Sequence, residues 1–374
     1  MKKTIYKYFF YEFIRYFTTT LFALAAIVWT IQAVNFLDLV TDDGHAFTIY
    51  FLYSFLTLSK VLTKLIPLCF LIATILTILK LEKDNELIAL WTSGLNKIYI
   101  VNFIFRISIL VMFVQLVLTS TLNPTLLNAS RTLLKNSELQ FIPSLLKEKQ
   151  FNDTVDGLTI FVDRKDENNN YHNIFIRDDG KILSKIGTSS STIFAKYGFV
   201  SQDEKSLILH NGDIQKLNND GDINVVKFEK TVLNLSGIST KSINEPKVQE
   251  TSTKQILLCI QKKIMVTHNC DQTKKGQMDI KIEFNKRFGM PIYIPLISLI
   301  CCFLLASRKD KKMFHFNKYI YFFFGFIILA LAEVIVRYSG ASWNHTALYY
   351  LLPIGMFPLI YLILLRTFKY ENLH

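Results

Sequence analysis

Long stretches without a charged residue constrain this sequence more than any other feature. The stretch Tyr16–Leu37 has 22 residues, Phe288–Ser307 has 20 and Ala347–Leu365 has 19, all of them uncharged. A bilayer core about 30 Å thick is crossed by roughly 20 apolar residues in a helix. These stretches therefore predict transmembrane helices, and they exclude an ordinary soluble enzyme.

Three further apolar segments carry isolated charges within their length. They are Ile49–Leu81 with Lys60 and Lys64, Tyr99–Leu122 with Arg106, and Tyr319–Val336 with Glu333. Together the sequence predicts six helices, three on each side of a long polar insert. The first segment is longer than the apolar core of a signal peptide, and no small-residue cleavage pattern follows it. We therefore expect an uncleaved first helix.

Basic residues are distributed unevenly between the two predicted faces. Thirteen Lys and Arg lie in the two tails and in the loops after segments two and four, whereas Asp38–Thr48 and Ser339–Thr346 contain none. Short cytoplasmic loops retain Lys and Arg. Both termini are thus predicted to be cytoplasmic, with the insert on the opposite side. Because topology accounts for most of the net charge of +12, a nucleic-acid partner is not predicted.

The polar insert has the pattern of an all-β domain. Between Asn123 and Arg287 there are 24 Lys and Arg and 20 Asp and Glu. Short alternating runs typical of strands are Leu158–Val162, Asn173–Ile176, Thr192–Ala195, Ser206–Leu209 and Asn224–Phe228. These runs predict an antiparallel sandwich or open barrel. Cys259 and Cys270 also lie in the insert, either joined or as free thiols.

The sequence lacks the common signatures of catalysis. There is no phosphate-binding P-loop, no His-Glu-x-x-His, no Gly-x-Ser-x-Gly and no pair of histidines at metal-ligand spacing. We therefore expect a non-enzymatic protein without a cofactor of its own. Any energy that it uses is expected to come from a partner.

The loop after the second segment, at about 82–94, is the best candidate for contact with such a partner. Leu87, Leu90 and Trp91 share one helical face, and Gly94 is suited to end the helix. An amphipathic helix of this kind either docks its apolar face into a groove of another protein or lies on the lipid surface.

This loop resembles the coupling helix of the lipopolysaccharide export permeases, the LptF/LptG family. The matching residues are Asp84, Asn85, Glu86, Leu87, Ile88 and Gly94, and further matches are Pro67, Glu283-x-x-x-Arg287 and Pro291. The segments Gln32–Val40 and Asp156–Val162 are more similar to the LptF branch than to LptG. The resemblance extends over nearly the whole chain.

The resemblance implies a bacterial inner-membrane permease subunit in three parts. These are residues 1–122 with three helices and the coupling helix, a periplasmic β-jellyroll domain at 123–287, and residues 288–374 with three helices. The implied partners are an LptG-like permease, an LptB-like ATPase dimer, an LptC-like bridge protein and lipopolysaccharide. By matching position, Glu86 would contact the ATPase, and Leu87, Leu90 and Trp91 would fill its groove. Trp91 is larger than the residues expected there.

Ionisable residues inside membrane spans are costly and often functional. Lys60 and Lys64, four residues apart, are expected either to attract the phosphates of the lipid in a cavity or to reach toward the outer headgroups. Asn35 stands where related LptF chains often carry a base. Glu333 and Arg337, also four apart, are expected to form an ion pair, with a role in gating as the alternative.

Two other functions compete with lipid export at this level. One is a receptor or scaffold whose β domain binds an external ligand. The other is a protein that transmits force from an ATPase to periplasmic partners without moving lipid. The helix-forming loop argues against the receptor, whereas cations in an apolar cavity favour export over force transmission.

Overall fold

The computed structural model describes most of the chain, with gaps. The described residues are 2–41, 47–136, 146, 148–155, 157–166, 170–179, 190–201, 206–217, 223–234, 247–261, 270, 273–306 and 314–371. The basic loop at 307–313, which contributes to the predicted topology, lies outside them.

Long helices occupy both flanks of the insert. Before it are α1 (Lys2–Asn35), α2 (Asp38–Thr41), α3 (Phe47–Lys83), α4 (Glu86–Thr92), α5 (Lys97–Val117), a π-helix (Leu118–Leu122) and α6 (Asn123–Asn136). After it are 3₁₀ helices at Val248–Glu250, Met290–Ile292 and Phe303–Ala306, with α7 (Thr253–Ile260), α8 (Lys274–Gly289), α9 (Tyr293–Cys302), α10 (Phe314–Tyr338) and α11 (Trp343–Glu371).

Six of these helical segments are long and apolar enough to cross a membrane, three on each side of the insert, as predicted. The third extends over Lys97–Lys135 and the fourth over Lys274–Ala306. The boundaries predicted at 122 and 287 fall inside these continuous segments. The reason is that a lack of charge marks only the apolar part of a helix, whereas the helix itself continues through the charged residues beside it.

The chain separates into two compact units. The first comprises residues 1–30, 57–128 and 247–374, and the second comprises residues 31–56 and 129–246.

At the centre of the first unit is α9, in which every residue is buried. The Ser298 hydroxyl donates a hydrogen bond to Ser108 of α5 at 3.1 Å, and the Tyr293 hydroxyl donates one to the Tyr349 carbonyl of α11 at 2.9 Å. Helix α9 therefore holds neighbours from both halves of the chain.

A proline inside α3 is accommodated by a side chain from α5. Pro67 has no N–H, so the carbonyl of Thr63, four residues earlier, loses its helical donor. Buried Gln115 Nε2 donates a hydrogen bond to that carbonyl at 3.2 Å. This contact satisfies a backbone group that would otherwise be unpaired in the interior.

The second unit contains an antiparallel sheet of six strands in chain order. The strands are β1 (Phe151–Val155), β2 (Leu158–Lys165), β3 (Asn170–Asp178), β4 (Ser191–Val200), β5 (Ser206–Leu217) and β6 (Ile223–Asn234). The register aligns Ile160, Ile176, Ile193 and Ile214 across four strands, and all four side chains are buried. The alternating runs in the sequence thus predicted the strands correctly, because one face of this sheet forms the core.

The two cysteines of the insert are joined by a disulfide bond. Cys259 lies in α7, and Cys270 lies shortly before α8, with 5.7 Å between the Cα atoms. The structure therefore decides between the two alternatives that the sequence left open. The bond limits the separation of the end of α7 from the chain that leads into α8.

Because Gln115 replaces the donor that Pro67 lacks, the cost of substituting Gln115 is expected to depend on whether Pro67 is present. Gln115→Leu is expected to destabilise the otherwise unchanged chain by about 1 kcal/mol, because it leaves the Thr63 carbonyl unpaired. In a Pro67→Ala background, the N–H of the introduced alanine restores the helical bond, and the same Gln115 change is expected to cost less. The measurement is SDS-induced unfolding of the full chain in mixed micelles.

Comparing Gln115→Leu in the two backgrounds also cancels the other effects of this substitution. Gln115 Oε1 has no partner among the described residues, and its loss contributes equally in both backgrounds. Equal costs of Gln115→Leu with and without Pro67 would contradict the explanation.

Candidate functional site

A cavity of about 300 Å³ lies within the first unit, between helices from both halves of the chain. Lys60, Lys64 and Pro67 of α3 line one side, and Glu283, Lys286 and Arg287 of α8 line another. Phe326, Leu329 and Ala330 of α10 supply an apolar wall. Of the two alternatives for Lys60 and Lys64, the position beside a cavity agrees with this lining, and their binding of substrate stays a prediction. The contribution of α8 was not predicted.

Most charges around the cavity are paired. Lys286 Nζ lies 2.7 Å from Glu333 Oε1 of α10, and Arg287 Nε lies 3.0 Å from Glu283 Oε1. Lys60 and Lys64 form no ion pair with an acid among the described residues, although both line the cavity. The cavity therefore offers two ammonium groups without a contacting carboxylate, beside an apolar wall.

Arg287 is a structural residue in this site, because its guanidinium is used internally. Only 3% of the residue is exposed. Besides Glu283, it donates to Thr253 Oγ1 at 2.9 Å and to the Gln249 carbonyl at 3.1 Å. A buried cation is tolerated only when it is paired and hydrogen-bonded in this way. The Glu283-x-x-x-Arg287 motif thus fixes the chain that enters the first unit after the β domain.

The π-helix at Leu118–Leu122 lies next to this network. Thr119 Oγ1 donates to the Arg287 carbonyl at 3.0 Å, and the Thr253 hydroxyl donates to the Ser120 carbonyl. A π-helix widens the backbone by one residue per turn and is often found at functional sites. The sequence did not predict this π-helix, because the side chains and carbonyls that contact it lie far along the chain.

The predicted coupling helix is α4, and its termination agrees with the sequence. Gly94 has a positive φ of 80°, and its N–H donates to the Trp91 carbonyl at 3.1 Å. A glycine in the left-handed conformation is a common end of a helix. At the other end, Asn85 has φ 59° and forms no side-chain cap.

The apolar stripe of α4 faces the protein itself. Leu87 is only 4% exposed and belongs to the core of the first unit, and Leu90 and Trp91 pack against the same core. Leu87 is therefore covered by the chain itself, whereas a contact of partly buried Leu90 and Trp91 with a partner stays a prediction. An apolar stripe shows that a helix face is buried, but it does not identify the surface that buries it. Among the large apolar side chains of α4, Ile88 is exposed, with 50% of its surface accessible.

Two polar contacts connect the α4 region to the start of α1. The Tyr8 hydroxyl donates to Glu86 Oε1 at 3.0 Å, and Lys80 Nζ lies 2.7 Å from buried Glu12. Glu86 is thus positioned by α1. Sequence reasoning missed Tyr8 and Glu12, because partners so far apart along the chain leave no local pattern.

Comparison with known proteins agrees with this arrangement. Residues 7–367 match the family described as "Lipopolysaccharide export system permease LptF/LptG". The chain belongs to the LptF/LptG family. It is also similar to an uncharacterized protein of Rickettsia prowazekii (strain Madrid E), with 26% identity over 280 residues, which cover 71% of this chain and 75% of that protein.

Family membership establishes a lipopolysaccharide export permease subunit of the inner membrane. The six spans and the inserted β domain accord with that membership. Members of this family are transport subunits and do not catalyse a reaction themselves. The family description includes both LptF and LptG.

The ion pair expected between Glu333 and Arg337 of this LptF/LptG permease is not formed within the described residues. Glu333 pairs with Lys286 of α8, whereas Arg337 is exposed and forms no ion pair with a described residue. The packing of α8 beside α10 brings Lys286 within reach, and a tertiary contact of this kind overrides the helical spacing. Asn35 is exposed at the end of α1, in the second unit, and its role in substrate binding stays a prediction.

The two candidate partners of Glu333 are distinguished by a double-mutant cycle. Lys286→Ala and Glu333→Ala are expected to couple by about 0.5–3 kcal/mol, because each removes the same ion pair. Arg337→Ala, the matched control, is expected to be nearly neutral and additive with Glu333→Ala. Stability is measured by SDS-induced unfolding. Coupling of Glu333 to Arg337 with none to Lys286 would contradict the structural assignment.

Proposed function

We propose that this chain is the LptF-like member of a pair of permeases in an ATP-driven exporter. The exporter extracts lipopolysaccharide from the inner membrane and passes it through an LptC-like bridge toward the outer membrane. Helix α4 is the observation that carries the ATP-driven part of the proposal. The partners are an LptG-like permease and an LptB-like ATPase dimer, which binds the ATP.

Helix α4 has the properties of a force-transmitting contact. It connects the second and third spans, and Leu87 anchors it in the core. Glu86 is held by Tyr8 of α1 at 3.0 Å, so a displacement of α4 is passed to the first span. A helix that floats on a lipid surface lacks such anchors. These contacts support the coupling assignment over the interfacial one.

The face of α4 around Ile88 is the proposed contact with the ATPase. The opposite face is already occupied by the packing of Leu87, Leu90 and Trp91. Glu86 lies at the border of the two faces, partly buried, and its proposed contact with the ATPase is compatible with its bond to Tyr8.

Ile88→Glu tests this surface. The change is expected to abolish co-purification of the ATPase and export, because it places a charge in an apolar contact while leaving the packed face of α4 unchanged. Thr92→Glu, on the same exposed side one turn further, measures how far the contact extends. Unchanged ATPase recovery and export with Ile88→Glu would contradict the proposed surface.

The cavity fits the chemistry of a phosphorylated amphiphile. Lys60 and Lys64 provide positive charge without an internal ion pair, and α10 provides an apolar wall. A volume of about 300 Å³ holds one phosphate-bearing part of the lipid and leaves the remainder outside. The same cations favour export over the transmission of force without lipid movement, since a purely mechanical subunit needs no anion site.

Substituting both lysines tests the substrate assignment. Lys60→Gln with Lys64→Gln is expected to reduce photo-crosslinking of lipopolysaccharide to a photoreactive residue in place of Phe326 by about tenfold, because two charged contacts to phosphate are lost. Replacement of both by Arg is expected to retain the crosslink. Lys83→Gln removes a cation from the same helix outside the cavity and serves as the matched control. Undiminished crosslinking in the double Gln variant would overturn the assignment.

The proposed orientation places both termini and α4 in the cytoplasm and the β domain in the periplasm. The distribution of Lys and Arg between the loops supports it. Tyr8 and Glu86 are in contact, so the start of α1 and α4 lie at the same end of the bundle.

A further inference from the structure

A second cavity of about 340 Å³ lies between α1 and α5, away from the first. Tyr6, Lys7 and Phe10 of α1 and Phe103, Arg106 and Leu110 of α5 line it. It belongs to the end of the bundle that carries α4, because neighbouring Tyr8 is bonded to Glu86. None of the functions assigned above uses this groove.

The two cations of the groove lack internal partners. Lys7 and Arg106 are exposed, and neither forms an ion pair or hydrogen bond with a described residue. This contrasts with Lys286 and Arg287, which are both paired at the first cavity. The groove therefore presents a positive charge of two that the described part of the protein does not neutralise.

Arg106 lies within the third apolar segment, where a charge without a partner is costly. It follows Lys97, the first residue of α5, by nine positions, which corresponds to about 14 Å along the helix. An arginine at this depth is stabilised by a partner or by reaching the headgroup region. Side chains tilt toward the N-terminus of their helix, so Arg106 leans toward the end of the bundle where Lys7 lies.

The remainder of the groove is apolar and contains packed aromatic rings. The rings of Tyr6 and Phe103 stack with 4.5 Å between their centroids, and Phe9 meets Phe103 edge-on at 5.8 Å. Leu110, one turn deeper than Arg106, is 56% exposed. Cations at the mouth and an apolar floor directed into the bilayer form the complement of a charged headgroup with attached acyl chains.

We propose that this groove binds an anionic glycerophospholipid of the leaflet next to α4. The headgroup phosphate contacts Arg106 and Lys7, and the acyl chains follow Phe103 and Leu110. Basic grooves between transmembrane helices favour anionic headgroups. A guanidinium binds a phosphate through two parallel hydrogen bonds, in bidentate geometry. The bound lipid contacts both α1 and α5. It thereby stabilises the position of α1, whose Tyr8 hydroxyl donates to Glu86.

Lipid titration by native mass spectrometry of the full chain tests the site. The unsubstituted chain is expected to bind one phosphatidylglycerol more tightly than phosphatidylcholine. Lys7→Gln with Arg106→Gln is expected to weaken phosphatidylglycerol binding by roughly tenfold and to remove the preference. Arg106→Lys is expected to retain the preference, because the charge is kept. Millimolar inorganic phosphate is not expected to displace the lipid, since it lacks acyl chains.

Two matched controls separate this site from other charges. Arg15→Gln with Lys83→Gln removes two exposed cations outside the groove and is expected to leave binding unchanged. Lys60→Gln with Lys64→Gln is also expected to leave it unchanged, so the result does not depend on the lipopolysaccharide site. Equal affinity for both lipids, an undiminished preference in the groove variant or displacement by inorganic phosphate would overturn the proposal.

The assembled exporter in its membrane provides the second measurement. A photoreactive residue in place of Leu110 is expected to gain the mass of one phospholipid on irradiation. A protein adduct at this position in place of the lipid would overturn the proposal, because the groove would then be a subunit interface.

Discussion

The buried guanidinium of Arg287 is the interaction on which the organisation of the first unit depends. A charged residue that is only 3% exposed is stable because Glu283, Thr253 and the Gln249 carbonyl surround it. These partners come from α8 and from the chain that returns after the β domain. The Arg287 carbonyl in turn accepts from Thr119, so the same residue also fixes the π-helix.

Charge pairing divides the ionisable residues of the spans into two classes. Lys286, Arg287, Glu283 and Glu333 neutralise one another and hold helices together. The second class consists of cations that line cavities and form no ion pair within the described residues, namely Lys60, Lys64, Lys7 and Arg106. An unpaired cation in a membrane span is stabilised by an external anion or by reaching the headgroup region, and both place it near lipid phosphates.

The sequence predicted those features that repeat along the chain. Uncharged length identified the six spans, and alternation identified β2 to β6, because the burial of one face imposes a period of two. It failed where a contact joins distant residues. Glu333 was assigned to Arg337 by spacing, yet packing gives it Lys286. The stripe of Leu87, Leu90 and Trp91 was attributed to the groove of a partner, whereas Leu87 is buried in the core of the chain and Leu90 and Trp91 pack against that core.

The amide of Gln115 has a mechanical consequence. It fills the hydrogen bond that Pro67 removes from α3, so α3 and α5 cannot slide past each other without exposing a carbonyl in a medium that offers no water. By contrast, the polar contact of α10 at the cavity is one partly exposed ion pair, between Glu333 and Lys286, beside the core packing of Ile328 and Ala332. The walls of the cavity are therefore joined unequally: a buried hydrogen bond ties α3 to α5, whereas a partly exposed ion pair ties α10 to α8.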